Sequence, residues 1–269
     1  MIIFKSINKL NKEVNFKANI GFVPTMGALH KGHISLINSS KKKCKKTLVS
    51  IFLNPSQFND NKDLKKYPKN LFNDIKILKK LKVDYLLLPK INEIYKNKKS
   101  MKINIIKKDK VLCAKYRPGH FEGVLAVINQ FLLNIKPKFM FLGEKDYQQI
   151  ILIKKFIKKK FKTQIVVCKT VRLNNLVPYS SRNFYLSRNA IKDASFVSIS
   201  IYKLYLSIKK DFNKRFNIIL VKNKIESKKI ITDYFEIRNK TNLSKKFNRK
   251  NFKIFIAYYL NDIRLIDNF

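Results

Sequence analysis

Short apolar runs alternate with helix-period segments through the first two thirds of the chain, and this alternation constrains the fold more than any other feature. Ile20–Val23, Leu48–Leu53, Tyr85–Leu88, Phe139–Leu142 and Ile165–Cys168 are brief and largely apolar. Runs of that kind read as strands buried on both faces. Between them the spacing predicts helices at about 32–45, 69–82, 122–134 and 146–160. Strand and helix in alternation imply a parallel sheet flanked by helices, the Rossmann-like α/β class. Pro24, Pro55, Pro89 and Pro137 are expected at strand ends or connections, where a missing N–H is tolerated. From about residue 188 the pattern changes to helices at 188–210 and 216–230, then β-rich runs at Tyr234–Arg238, Lys253–Tyr259 and Arg264–Ile266. The expected division is a catalytic domain at 1–170 and a smaller α+β C-terminal lid domain at 171–269.

No uninterrupted apolar run approaches the roughly 18 residues of a membrane helix. The start, Met1-Ile2-Ile3-Phe4-Lys5, meets charge too soon for a secretory signal, so the expected location is cytoplasmic, with no membrane partner. Cys44, Cys113 and Cys168 are odd in number and far apart, which disfavours a disulfide framework or a structural zinc site. The net charge of +42 invites a nucleic-acid reading. Against it, only eight of the 59 cationic residues are Arg, the side chain suited to specific phosphate and base recognition. The Lys also accompanies abundant Ile, Asn and Phe, as A/T-rich codons would produce. Weak, sequence-independent attraction to polyanions is expected, and no specific nucleic acid.

The rare residues are concentrated. All six glycines (Gly21, Gly27, Gly32, Gly119, Gly123, Gly143) and all three histidines (His30, His33, His120) fall in or beside three short segments. The first is Gly21-Phe-Val-Pro-Thr-Met-Gly-Ala-Leu-His-Lys-Gly-His33, a strand running through a glycine-bearing loop into a helix. Such a turn aims helix N-terminal N–H groups at a phosphate. His30 and His33 share a helix face if the helix starts by Leu29, and could there stabilise departing pyrophosphate. In isolation the pair reads equally as two surface histidines, and no third ligand argues for a metal. The second segment is Arg117-Pro-Gly-His-Phe-Glu-Gly-Val124, leading into an apolar helix. It is followed by Gly143-Glu-Lys-Asp-Tyr-Gln-Gln149, where Lys145 suits a phosphate and Asp146 a helix cap or a ribose hydroxyl. A further segment, Ser180-Ser-Arg-Asn183, holds none of these residues and is either a phosphate clamp or a capping turn.

Together these segments resemble the pantothenate synthetase family, which belongs to the nucleotidyltransferases with a His-x-Gly-His motif. The resemblance runs through residues 24–33, 49–58, 67–71, 117–124, 143–149, 180–183 and 264–268, in the family's order. It implies an AMP-forming ligase that adenylates (R)-pantoate with ATP and joins it to β-alanine, on the route to vitamin B5 and coenzyme A. It implies Mg²⁺ with the ATP, and a homodimer. His33, His30 and Lys145 would be catalytic. ATP would meet Met26, Gly27, Ala28, Leu29, His30, Lys31, Gly32 and His33, then Gly143, Glu144, Lys145 and Asp146, and finally Val171, Tyr179, Ser180, Ser181 and Arg182. Gln57 and Gln149 would hold pantoate, Gln57 would also meet β-alanine, and Asn54 would support them.

One departure stands out. Where the family reads close to Asp-Gly-Leu-Ala-Met before the clamp, this chain reads Asn175-Leu-Val-Pro-Tyr179. Leu for Gly and Pro for Ala are expected to restrict the junction and slow turnover. Three other readings compete: a nucleotidyltransferase with another acceptor, a basic nucleic-acid-binding protein, and an inactive paralogue. Gln57 and Gln149 oppose the first, since an acceptor phosphate calls for cations.

Overall fold

In the computed structural model, residues 1–16, 19–58, 61–95, 103–158, 160–212 and 218–269 are described. Six strands form one parallel sheet: β1 (Ile2–Phe4), β2 (Ile20–Thr25), β3 (Lys46–Ile51), β4 (Tyr85–Leu87), β5 (Phe139–Gly143) and β6 (Gln164–Cys168), in the order β1-β4-β3-β2-β5-β6. Helices α1 (Ile7–Glu13), α2 (Lys31–Lys43), α3 (Leu71–Lys80), α4 (His120–Ile135) and α5 (Tyr147–Ile157) connect them. The sequence did not announce β1 or α1. The helix expected to reach 160 ends at Ile157, and residue 159 lies outside the described residues.

β2 is central, and its neighbours in the sheet, β3 and β5, follow it in opposite directions from that point. Phe22 and Val23 are both fully buried, and being consecutive they face opposite ways. Phe22 meets Phe131 of α4 edge-on, with ring centroids 5.3 Å apart. Val23 joins a second cluster with Ile37 of α2. Each such burial is worth about 1.5–3 kcal/mol. Pro24 does not end the strand, as expected, but lies within it, opposite Ser50 of β3. The Thr25 carbonyl accepts from Phe52 N–H, so residue 25 faces the β3 side and Pro24 the β5 side. There the pairing with β5 stops at Phe22, so no ladder bond is lost.

After α6 (Arg188–Lys210) and α7 (Ile218–Glu226) come three antiparallel strands, β7 (Ile231–Asn239), β8 (Phe252–Leu260) and β9 (Ile263–Asn268). The expected start of α7 at 216 and 217 lies outside the described residues. Ile254 and Ile256 of β8 pack with Val197 and Ile201 of α6. Phe255 and Ala257, on the other face, join the core of the large sheet.

The junction is a hairpin. Leu173 N–H bonds to Val177 O at 2.8 Å and Tyr179 N–H to Val171 O at 3.0 Å, while Leu176 N–H closes the turn on Leu173 O at 2.9 Å. Pro178 faces Arg172 in the pair between those two bonds, so its missing N–H breaks nothing. The restriction expected of Pro178 therefore has no ladder cost; the cost of the departure falls on Leu176, held at φ 67° in the left-handed region. An L-residue there is disfavoured by about 1–2 kcal/mol. Glycine returns roughly 0.5–1 kcal/mol of that as unfolded-chain freedom. Leu176→Gly is thus expected to stabilise the fold modestly, by up to about 1 kcal/mol, read from urea midpoints. A lower midpoint would mean that the half-buried leucine side chain outweighs its backbone strain.

Candidate active site

A cleft of about 310 Å³ opens at the carboxyl ends of the strands, bordered by the turns that follow β2, β3, β5 and β6. This is the switch point of the sheet, where open α/β folds hold ligands.

The turn after β2 is shaped by a group the sequence did not flag. Asp74 of α3 is buried, and its carboxylate accepts from Ala28 N–H at 2.9 Å and Leu29 N–H at 2.7 Å. Burial raises its pKa, and these two N–H groups oppose the rise. Gly27 and Ala28 both take positive φ, at 86° and 50°, so the chain reverses before the helix begins. α2 then starts at Lys31, two residues later than the shared-face reading of the histidines requires. His30 is its N-cap, in extended conformation, and not a helical residue. The two rings still meet, 4.1 Å apart between centroids, through a reciprocal cap. His30 Nδ1 accepts from Gly32 N–H at 3.1 Å, and His33 Nδ1 accepts from His30 N–H at 3.4 Å. Gly32 is required by this cap, because an added Cβ would stand 2.8 Å from His30 Cε1.

With Nδ1 accepting, the proton of each neutral ring sits on Nε2. Burial, then the neighbouring His33 and Lys145, lower the His30 pKa to about 2. Burial, then Lys145, lower that of His33 to about 4, against a smaller opposing effect of Asp146. At pH 7 both are therefore neutral donors. Lys145 and Asp146 lie on the turn after β5, their charged groups 3.6 Å apart. Asp146 occupies the N-cap position of α5 without a capping bond. β9 braces this turn: Asn268 Nδ2 donates to the carbonyls of Lys145 at 2.8 Å and Glu144 at 3.3 Å. Asp267 is buried and holds both nitrogens of Arg172 at 2.8 Å, fastening the hairpin to β9.

On the β3 side, Asn54 is fully engaged. Its amide nitrogen donates to Gln57 Oε1 and to Gly123 O, and its oxygen accepts from Ser56 and the Tyr95 hydroxyl. Gly123 permits this approach, since an added Cβ would lie 2.2 Å from Ser56 O. The Gln57 amide nitrogen meets Met26 Sδ. Gln148 and Gln149 both border the cleft; Gln148 is buried and donates to the carbonyl of Val111 at 2.7 Å.

Of the residues expected at the site, Met26, His30, Gly32, His33, Gln57, Gly143, Lys145, Asp146, Gln149, Val171, Tyr179, Ser180, Ser181 and Arg182 border this one cleft. Gly27, Ala28, Leu29 and Lys31 belong to the turn but do not line the space, their N–H groups at 28 and 29 being taken by Asp74. Glu144 also lies outside the lining, paired with Lys253 at 3.1 Å. In the clamp, Ser181 Oγ donates to Ala28 O at 3.1 Å and Arg182 pairs with Asp63 at 2.6 Å. Tyr67, Arg117, His120 and Arg264 line the cleft as well, with no role foreseen for them.

A parallel sheet whose switch point carries a lysine, a neutral histidine pair and glycine-bordered turns defines a nucleotide-using α/β enzyme. The chain belongs to the pantoate–β-alanine ligase family, whose sequence profile matches residues 2–269. The pantothenate synthetase of Francisella philomiragia is 40% identical over 274 residues, covering 100% of this chain and 97% of that one. That of Buchnera aphidicola from Acyrthosiphon pisum is 42% identical over 280 residues, covering 100% and 98%. Among solved structures, the pantoate–β-alanine ligase of Francisella tularensis, complexed with β-γ ATP and β-alanine, superposes with a TM-score of 0.85 at 38% identity, covering 100% of this chain and 97% of that one. The Thermus thermophilus pantothenate synthetase gives 0.91 at 26%, covering 100% and 99%. The chain is accordingly a ligase.

Proposed function

We propose that this cleft condenses (R)-pantoate with β-alanine in two steps. A pantoate carboxylate oxygen attacks the α-phosphorus of ATP, and the bond to pyrophosphate breaks. The β-alanine amine then attacks the acyl carbon of the pantoyl adenylate, loses a proton, and AMP leaves with the bonding electrons. The observation that carries this reading is the pair of Nε2–H donors on His30 and His33 beside Lys145. Neutral donors and one cation suit a leaving pyrophosphate, since they stabilise charge without being consumed by it. Gly143 supports it: its backbone is ordinary at φ −81°, and an added Cβ would meet no protein atom within 4 Å. The fold does not demand glycine there, and the space is free for the nucleotide. Val171, Tyr179, Ser180, Ser181 and Arg182 would close over it, with residues 171–269 as the lid on a catalytic domain of 1–170.

Mg²⁺ would arrive with the triphosphate. Among the described residues no group of three His, Cys, Asp or Glu side chains converges. This fits an ion held mainly by phosphates and water. Asp146 is the candidate protein ligand, because Asp267, the other carboxylate in the lining, is committed to Arg172. The ion's contribution would be to neutralise phosphate charge. A cytoplasmic homodimer belongs to the same proposal.

The test is AMP release that requires both pantoate and β-alanine, together with pantoate-dependent exchange of pyrophosphate into ATP in the absence of β-alanine. AMP release without either acid would sink the reading. Gln57→Ala and Gln149→Ala are each expected to weaken pantoate binding about 2–10-fold, from one lost neutral hydrogen bond. ATP affinity should change less than pantoate affinity. Equal losses for both ligands by calorimetry would remove these residues from the acid pocket.

A further inference from the structure

The cations around the cleft are mostly paired. Arg182 meets Asp63 at 2.6 Å, Arg264 meets Asp233 at 2.7 Å, and Arg172 meets Asp267 at 2.8 Å. Arg117 differs from these other arginines. Among the described residues no ion pair is recorded for it, although it is half-buried at the cleft wall. Its Nη2 donates to Gln57 O at 3.3 Å, and its Nη1 lies 3.2 Å from His120 Nε2. His120 Nδ1 is 2.6 Å from that same Gln57 carbonyl. A carbonyl only accepts, so Nδ1 carries the proton and Nε2 accepts from Arg117. His120 is therefore a neutral brace that cannot offset the guanidinium charge. Burial and the facing Arg182 and Arg264 depress the Arg117 pKa to about 10. Among the described residues this cation has no acid partner, and three of its five N–H donors remain for an anion.

We propose that Arg117 binds the carboxylate of the amine substrate, β-alanine, and so selects amines that carry an acid at their far end. The inference rests on the reaction proposed above. Two cationic centres border the cleft. His30 and His33 interact with each other, Lys145 and Asp146. Arg117 interacts with Arg182, Arg264 and Asp63. The first centre takes the phosphates. The carboxylate of pantoate is the nucleophile and must face phosphorus, so the carboxylate left for the second centre is that of β-alanine. A planar guanidinium fork matches a carboxylate with two parallel bonds. Its anchor is the backbone of Gln57, whose side chain also borders the cleft. The amine substrate would thus be held beside the residue proposed to hold the acyl group.

The test compares β-alanine with 1-propylamine, which has a similar chain and no acid, in the unmodified protein and in Arg117→Ala and Arg117→Lys. The unmodified protein should favour β-alanine strongly in kcat/KM. Arg117→Ala should raise the β-alanine KM about 100-fold, raise the propylamine KM far less, and lower pyrophosphate exchange far less than amide formation. Lysine should recover part of the loss, since it keeps charge without the fork. Equal use of the two amines by the unmodified protein would overturn the proposal, even if neither variant folds. So would an exchange rate that falls as far as amide formation, which would place Arg117 on the phosphates or on pantoate. Absence of exchange in the unmodified protein would instead refute the underlying reaction.

Discussion

Replacing His33 by Ala is expected to lower pantoate-dependent pyrophosphate exchange by about 10²–10³ while the protein stays folded. The ring's Nδ1 is occupied by His30 N–H, which leaves Nε2–H as its one donor toward the cleft that it lines. With a pKa near 4 the ring is neutral at pH 7, so its contribution is a positioned dipole and not a stored charge. Such a donor costs no reorganisation when charge develops, and its removal is felt mainly in the transition state. The structural loss is smaller. His30 N–H becomes uncapped, which typically costs about 0.5–2 kcal/mol. His30 Nδ1 still caps Gly32, and Asp74 still holds the turn. The check is the exchange rate at saturating ATP and pantoate, with a urea melt alongside. Exchange within a few fold of the unmodified protein would show that His33 serves the helix and not the chemistry.

The parts of the fold readable from sequence were those with a period. Phe22 and Val23 had to face two buried layers, so their strand stood out as an apolar run. β1 is three residues long with two of them exposed, and offers no such run. The glycines and histidines marked the cleft because few other residues satisfy their positions: Gly32 lies against the His30 ring, and Gly123 against the Ser56 carbonyl. Asp74 was not legible, although it shapes the histidine turn. Its partners are backbone N–H groups at residues 28 and 29, and side-chain-to-backbone bonds over such a separation leave no pattern in sequence. The same holds for Arg117. Its motif was visible, but that no acid pairs with it among the described residues depends on Asp63 and Asp233 being taken by Arg182 and Arg264. His30 shows the opposite error. A spacing of three suggested two helical residues on one face, and a capping arrangement joins the rings just as well.

Stability is expected to fall steeply between pH 7 and pH 4.5, through the histidines. The folded-state values are about 2 for His30, 4 for His33 and 3 for His120, each lowered chiefly by burial from the ordinary 6.5. Between those values and 6.5 the unfolded chain binds protons that the native protein refuses. Their stabilising contribution is full above 6.5 and is lost as the pH falls toward the folded values. Each proton changes stability by up to about 1.4 kcal/mol per pH unit, so three together reach about 4 kcal/mol per unit. That is a large part of a domain's usual 5–15 kcal/mol. Asp74 works the other way, because its raised pKa favours the folded state as it protonates, but only near the carboxylate range. The net charge of +42 adds repulsion in the same direction as the histidines, and salt separates the two effects. Urea midpoints at pH 7, 6 and 5 in 0.5 M salt should therefore still show an uptake on unfolding of about 1.5 protons between pH 7 and 6 and nearly three between pH 6 and 5. His30→Asn offers an internal control. Asparagine can accept from Gly32 N–H through Oδ1 and is a favoured N-cap, so the helix start survives while one titrating group is lost. The slope should drop by about one proton. Stability that stays flat from pH 7 to 5 would mean that the buried rings admit protons without strain, and the neutral-donor assignment of His30 and His33 would fall with it.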